Sequence, residues 1–255
     1  MKTTTETIKT SKPKRLTKQQ LELLELVYKF RFVTSKLVSD KYGRQSKVVM
    51  YTRLQLLYKR GLLGRHYDGL KSLRGEPASY YLLPAGIAAL KAQSDPERVS
   101  RRTLQAAYKD RTAKETFINE SLAIFQQYND YRRLYPEVLS FSTKSNMTFA
   151  AFDYFPQALP DGFIRLTQAG TTQCYFLEYV ASHISPVGQY KLVKKYADYF
   201  ESGEWSSRRR GTPVMLIICE TASVLKAIRK LVTASDLDDD HFRVRLKDNP
   251  ESVLV

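Results

Sequence analysis

The stretch SKVVMYTRLQLLYKRGLLGR, residues 46–65, decides how the first third of this chain folds. Met50, Leu54 and Leu57 recur at i, i+4 and i+7, so they stack on one side of a helix, while Thr52, Gln55 and Lys59 fall on the other. Ser46 is placed to cap that helix, which runs to about Arg60 and ends in the turn at Gly61. Working back from it, Ser35 to about Lys41 reads as a short helix with Leu37 and Val38 inward, broken at Tyr42 and Gly43. Thr17 and Gln20 have capping-box spacing ahead of Leu21, Leu24, Val27 and Tyr28, which predicts a first helix over 18–30. Three helices in this order form a helix-turn-helix. Working forward, Leu62–Arg65 and Tyr80–Leu83 read as two short strands of a β-hairpin wing, with a mobile basic tip over 66–79. Pro84 then opens a helix to about Ala92.

Charge points the same way. Residues 1–92 carry 19 Lys and Arg against 6 Asp and Glu, a net +13 of the chain's +15, while the remainder is nearly balanced. So concentrated a positive field attracts a polyanion, with salt-dependent binding. On the third helix and its approach, Arg44, Ser46 and Lys47 sit at the end that enters a major groove. Gln55 is suited to adenine and Arg44 or Arg53 to guanine, whereas Lys47, Lys59, Lys71 and Arg74 are suited to phosphate, and Arg65 is a further DNA-binding candidate. Val48, Val49 and Leu56 broaden the apolar side of that helix, so the readout residues stay open. Lys9, Lys12, Lys14 and Arg15 form a basic arm over 1–16. The competing reading of a winged fold is a protein-interaction adaptor.

Residues 93–135 read as a connector that becomes helical from Thr112 to Leu134, with Phe117, Leu122, Phe125 and Tyr128 inward and Pro136 as the stop. From 136 to 255 strands and helices alternate: strands near 147–152, 162–167, 173–180, 214–219 and 242–246, helices near 188–200 and 222–232. The run at 214–219 is too apolar to have a wet face, so this half is an α/β domain with a covered central strand. The fold class is therefore two-domain, α+β followed by α/β.

Two carboxylates stand out there. Asp161 opens one strand and Glu178 lies within the next, and antiparallel pairing brings them to one end as oxygen ligands for a hard divalent ion. Lys191 and Lys194, with Lys195 adjacent, lie on the following helix and can face phosphate. The alternative is that Glu178 points outward, or forms a buried pair with Lys191 or Lys194 that only orients the helix. There is no P-loop, no dinucleotide-binding glycine pattern and no nucleophile elbow, and His66, His183 and His241 lack metal-ligand spacing. Cys174 and Cys219, each within an apolar run, are expected to be reduced and buried. With no apolar run of membrane length and no signal peptide, the expected location is the cytoplasm and no membrane partner is expected.

Taken in order, residues 54–65, Tyr80 to Gly86, Leu159 to Gly162, Phe176 to Glu178 and Lys191 to Tyr196 resemble the replication-relaxation proteins of plasmids and other mobile elements. The resemblance runs from about residue 15 to 230 and implies a winged helix joined to a restriction-endonuclease-like α/β domain. It also implies a role in plasmid replication, DNA relaxation or their control. By that likeness Asp161 and Glu178 are metal ligands, Glu120 is a remote candidate for the extra upstream carboxylate, and the catalytic residues of an active enzyme are Asp161, Glu178, Lys191 and Lys194. The chain departs from the pattern at Val180, where an active enzyme has lysine. Either Lys191 or Lys194 substitutes, or cleavage has been lost and the domain serves as a scaffold; loss is the preferred reading. The expected function is occupancy of double-stranded DNA in replication or transcription, with no cofactor needed. The alternative is a nuclease or nickase using Mg²⁺ or Mn²⁺. A homodimer and replication or conjugation proteins are the protein partners such a role admits.

Overall fold

A computed structural model describes residues 15–43, 46–93, 106–136, 138–147, 152–235 and 241–249. Three helices come first: α1 (Lys18–Phe30), α2 (Ser35–Tyr42) and α3 (Lys47–Lys59). Each starts on a hydroxyl cap that satisfies an otherwise orphaned N–H: Thr17 accepts from Gln20, Thr34 from Leu37 and Ser46 from Val49. β1 (Leu63–His66) and β2 (Ser79–Leu82) then pair antiparallel, Leu63 opposite Leu82. The link between α1 and α2 joins them, because Val33 and Tyr80 exchange backbone hydrogen bonds of 3.0 and 2.8 Å. Gly64 and Gly86 allow this close packing. A Cβ on Gly64 would stand 2.3 Å from the Tyr81 ring, and one on Gly86 would stand 2.2 Å from the Leu62 carbonyl. Between the strands, where an irregular tip was expected, Asp68 accepts from the Lys71 N–H and starts a short helix, α4 (Gly69–Leu73). α5 (Pro84–Gln93) follows β2.

The helical part of the segment read as a connector is a packing centre. α6 (Glu115–Leu134) buries Ile118, Ser121, Phe125 and Tyr131. The Phe125 ring stacks on Phe30 with centroids 4.3 Å apart, and the Asn129 amide donates to the Leu37 carbonyl at 2.9 Å. Phe117 departs from the expected inward stripe and is 37% exposed beneath the Arg31 guanidinium. Ile118 takes the inward place, being one residue nearer in phase to Phe125.

The second half is a five-stranded sheet in the order β3-β4-β5-β6-β7, with strands at Leu139–Thr143, Gly162–Gln168, Thr171–Val180, Val214–Cys219 and Phe242–Leu246. The first three run antiparallel, while β5, β6 and β7 are parallel. Parallel neighbours need crossovers, supplied by α7 (Pro186–Glu201) and α8 (Ala222–Thr233). The first strand of this half, expected near 147–152, is β3, and it lies at the edge of the sheet. Met147 lies outside any strand, and 148–151 fall outside the described residues.

Side chains alternate through β6, which is buried along its whole length. Leu216 and Ile218 join a core that continues through Phe125 to Leu24 and Val27 of α1, whereas Met215 and Ile217 join Phe176, Tyr196 and Ile228 on the other face. The first core therefore runs without a break from the amino-terminal helices to the sheet.

Candidate active site and basic surface

β4 and β5 pair with Gly162 opposite Leu177, which sets Asp161 level with Glu178 at one end of the sheet. One Asp161 oxygen accepts from the Lys144 ammonium at 2.6 Å and the other from the Tyr179 backbone N–H at 2.9 Å. Glu178 is 6% exposed. Its Oε1 accepts from Lys195 Nζ at 2.8 Å and from the Tyr196 hydroxyl at 2.7 Å. Burial pushes the Glu178 carboxyl up to about 7 and the Asp161 charge adds to this, against the pull of Lys195 and Lys144. Burial acts to lower the Lys144 ammonium, but Asp161 and Glu178 outweigh it and its pKa rises. Glu120 stands nearby, 3.4 Å from His183 Nε2, and its pKa is raised chiefly by burial.

The two carboxylates therefore converge, but the lysines differ from expectation. Lys191 is exposed, and Lys194 pairs with Asp198 at 3.0 Å on the outer side of α7. The lysine that reaches the site is Lys195, which also donates to the Ala158 carbonyl at 3.2 Å. The correction is one of helical phase: Val193, Tyr196 and Ala197 define the buried side of α7. Lys195 flanks that side, and Lys194, about 100° away, does not. Val180 is buried, 2% exposed, and its side chain joins the core of Phe176 and Tyr196. Sequence reasoning missed Lys144 because it missed β3, the strand that ends just before it. Two hard carboxylates facing one cleft suit a divalent cation, which would relieve the cost of a buried Glu178 charge. Among the described residues, no group of three or more His, Cys, Asp or Glu is arranged to hold a metal.

The cleft has a volume of about 790 Å³ and is lined from both halves, by Lys29 and Arg31 of the α1 end as well as by Lys144, Asp161, Glu178 and Lys195. Arg31 holds Asp110 in a part-buried ion pair and donates to the Ala106 carbonyl at 3.0 Å. Lys29 sits 4.8 Å from the Tyr128 ring centroid and 5.7 Å from that of Phe141. Burial, then Lys41 and Arg132, lower its pKa from 10.5 to about 8. Below pH 8 the folded state thus carries a charge it would rather shed. Between about 8 and 10.5 the unfolded chain binds more protons than the folded one, so this penalty fades as pH rises. Lys29→Met is expected to raise unfolding free energy at pH 7 by on the order of 2 kcal/mol, less than the whole shift because the side chain stays partly wet. Denaturant titrations should show that gain shrinking between pH 8 and 10; a gain independent of pH would contradict the assignment.

On the amino-terminal surface, Lys47, Thr52 and Lys59 are exposed on α3, Ser46 caps it and Arg53 is half-buried. Gln55 leans toward the hairpin and donates to the Tyr80 hydroxyl at 2.9 Å. The Arg65 guanidinium lies 4.6 Å over the Tyr58 ring. Lys71 is turned inward toward Glu115 at 3.7 Å, and Arg74 pairs with Glu76. Arg44, Lys9, Lys12 and Lys14 lie outside the described residues. Both cysteines are free; Cys219 is buried as expected, and Cys174, expected to be buried, is only half-buried.

The architecture is that of a mixed helix-and-sheet protein with a five-stranded sheet and, at one end, a carboxylate–lysine cluster around the buried Glu178. The replication-relaxation family matches residues 24–215, well over half of the sequence, and the chain belongs to that family. Among solved structures it is similar to restriction endonuclease FokI, at 10% identity and a TM-score of 0.32 over 86% of this chain and 40% of that one. It is also similar to FokI bound to DNA, at 9% identity and a TM-score of 0.29 over 86% and 41%. This chain thus spans about two fifths of either. No curated protein matches it. Among the described residues, no helix is long and apolar enough to cross a membrane.

Proposed function

We propose that this chain is a DNA-binding protein of a mobile element that acts on replication by occupying double-stranded DNA. In this reading residues 17–92 are a winged helix-turn-helix and residues 136–255 a restriction-endonuclease-like domain. The order of α1, α2, α3 and the β1–β2 hairpin, with Val33 bridging to Tyr80, supports the first assignment. The order α6, three antiparallel strands, α7 and a parallel strand, with Asp161 just before β4 and Glu178 on the adjacent β5, supports the second.

The observation that carries DNA binding is α3 itself. It has no acidic residue, and it presents Lys47 and Lys59 to solvent from a segment of net +13. Each phosphate contact releases counterions, so affinity for any duplex should fall steeply between about 50 and about 300 mM salt. Lys47→Ala combined with Lys59→Ala should weaken duplex binding about tenfold near 0.1 M salt and flatten the salt slope by about 1 to 2. Fluorescence anisotropy measures both. Salt-independent binding defeats the proposal, and failure to bind any duplex at low salt favours a protein-interaction adaptor.

A second reading is favoured by one observation, the placement of Lys195 beside Glu178. It assigns the cleft to Mg²⁺- or Mn²⁺-dependent phosphodiester cleavage, with Asp161 and Glu178 holding the ion. When bound, such an ion neutralises phosphate charge and activates a water. Lys195 and Lys144 supply positive charge from the protein, and Tyr196 holds the Glu178 carboxyl in place.

A further inference from the structure

The outer face of α3 sets exposed apolar side chains among Thr52, Gln55 and Lys59. Val48 is 72% exposed, Val49 41% and Leu56 47%, while the opposite face buries Met50, Leu54 and Leu57 completely. Core packing does not explain apolar side chains that stay in solvent on the side away from the core. Two of the polar side chains nearby, Thr52 and Gln55, are already engaged. Thr52 donates its hydroxyl to the Val48 carbonyl at 2.9 Å, so what it offers outward is its methyl group. Gln55 commits an amide N–H to Tyr80. Val48, Thr52 and Leu56 follow one another at i, i+4 and i+8, a line of methyl groups along the exposed side, with Lys47 at one end and Lys59 at the other.

Charge selects what this face meets. A second copy of the chain would bring two strongly basic segments together, and an acidic protein would find few donors along the stripe. Duplex DNA matches both features. Its phosphates take the flanking lysines, and the apolar group its major groove offers is the 5-methyl of thymine. We infer that α3 reads A·T base pairs through thymine methyl groups, with Val48, Val49 and the Thr52 methyl as the reading surface. This rests on the DNA-binding reading above and specifies the class of sequence it selects.

The test removes the methyl group without altering base pairing. The full chain is titrated by fluorescence anisotropy against alternating A·T duplexes of about two helical turns, made with thymine or with deoxyuridine throughout. Matched G·C duplexes carry cytosine or 5-methylcytosine. The thymine duplex should bind about tenfold tighter than the deoxyuridine duplex, and 5-methylcytosine should also tighten binding. Val48→Ala with Val49→Ala should bring the thymine-to-deoxyuridine ratio to about two. Both valines are exposed, and the wild-type ratio needs no variant at all. Equal binding of the thymine and deoxyuridine duplexes overturns the inference while leaving DNA binding intact. Failure to bind any duplex overturns both. Sedimentation showing a dimer that Val48→Glu splits overturns the inference in favour of a second copy.

Discussion

Phe125→Ala is expected to lower the stability of the whole chain by about 3 to 5 kcal/mol, and to do so in the sheet half as much as in the amino-terminal half. Phe125 has no exposed surface and its ring stacks on Phe30 of α1 at 4.3 Å. It belongs to the core that extends from Leu24 and Val27 to Leu177 and Leu216. Polar contacts cross the same boundary. Tyr28 donates to the Ser145 carbonyl at 3.3 Å, and Thr143 donates to the Lys29 carbonyl at 2.5 Å. A cavity left by the ring therefore weakens both sides at once. The chain has a single tryptophan, and Trp205 lies in the other core, against Phe155, Phe163 and Phe176. Its fluorescence reports on the sheet alone, while far-UV circular dichroism is weighted toward the helices of the first half. In denaturant the two signals should coincide in the wild type and shift together in Phe125→Ala. Two independent domains would instead leave the Trp205 midpoint where it was.

Such coupling was hard to read from the sequence, and the reason is physical. Periodicity shows which side of a helix is apolar but not what covers it. The bounds of α1 and α2 and the apolar line Met50, Leu54, Leu57 were legible because caps and spacing are local signals. β6 was legible because an unbroken apolar run admits no wet face. β3 was not, since Ser140, Ser142 and Thr143 surround a single aromatic, Phe141, and an edge strand needs little else. The convergence of Asp161 and Glu178 followed from strand alternation and antiparallel pairing. The choice among Lys191, Lys194 and Lys195 depended on helical phase against residues distant in sequence, chiefly Glu178 and the floor under Tyr196. Gln55 illustrates the same limit. Its place on the outer side of α3 was clear, but its partner Tyr80 lies 25 residues away on the hairpin.

Lys195 offers the sharper test of the cleft. Its loss leaves Glu178 buried, beside Asp161 and without its closest cation, which drives the carboxyl to hold a proton at neutral pH. A protonated Glu178 is a poor ligand for a hard cation, and phosphate charge in the cleft loses its nearest ammonium. If the cleft cleaves phosphodiesters, Lys195→Met should therefore reduce Mg²⁺- or Mn²⁺-dependent nicking of supercoiled DNA by about a thousandfold or more. Asp161→Asn should fall as far. Lys194→Met, which removes only an exposed pair with Asp198, should keep wild-type activity. Because α3 contributes no residue to the lining of this cleft, duplex affinity without metal should stay within about twofold in all three. A pair that merely anchors α7 makes a different forecast. Glu178→Leu with Lys195→Met would then restore stability and cost no function, since apolar replacement of a buried ion pair is tolerated. Wild-type protein that leaves supercoiled DNA intact in both metals would end the cleavage reading and leave occupancy by the amino-terminal module as the function.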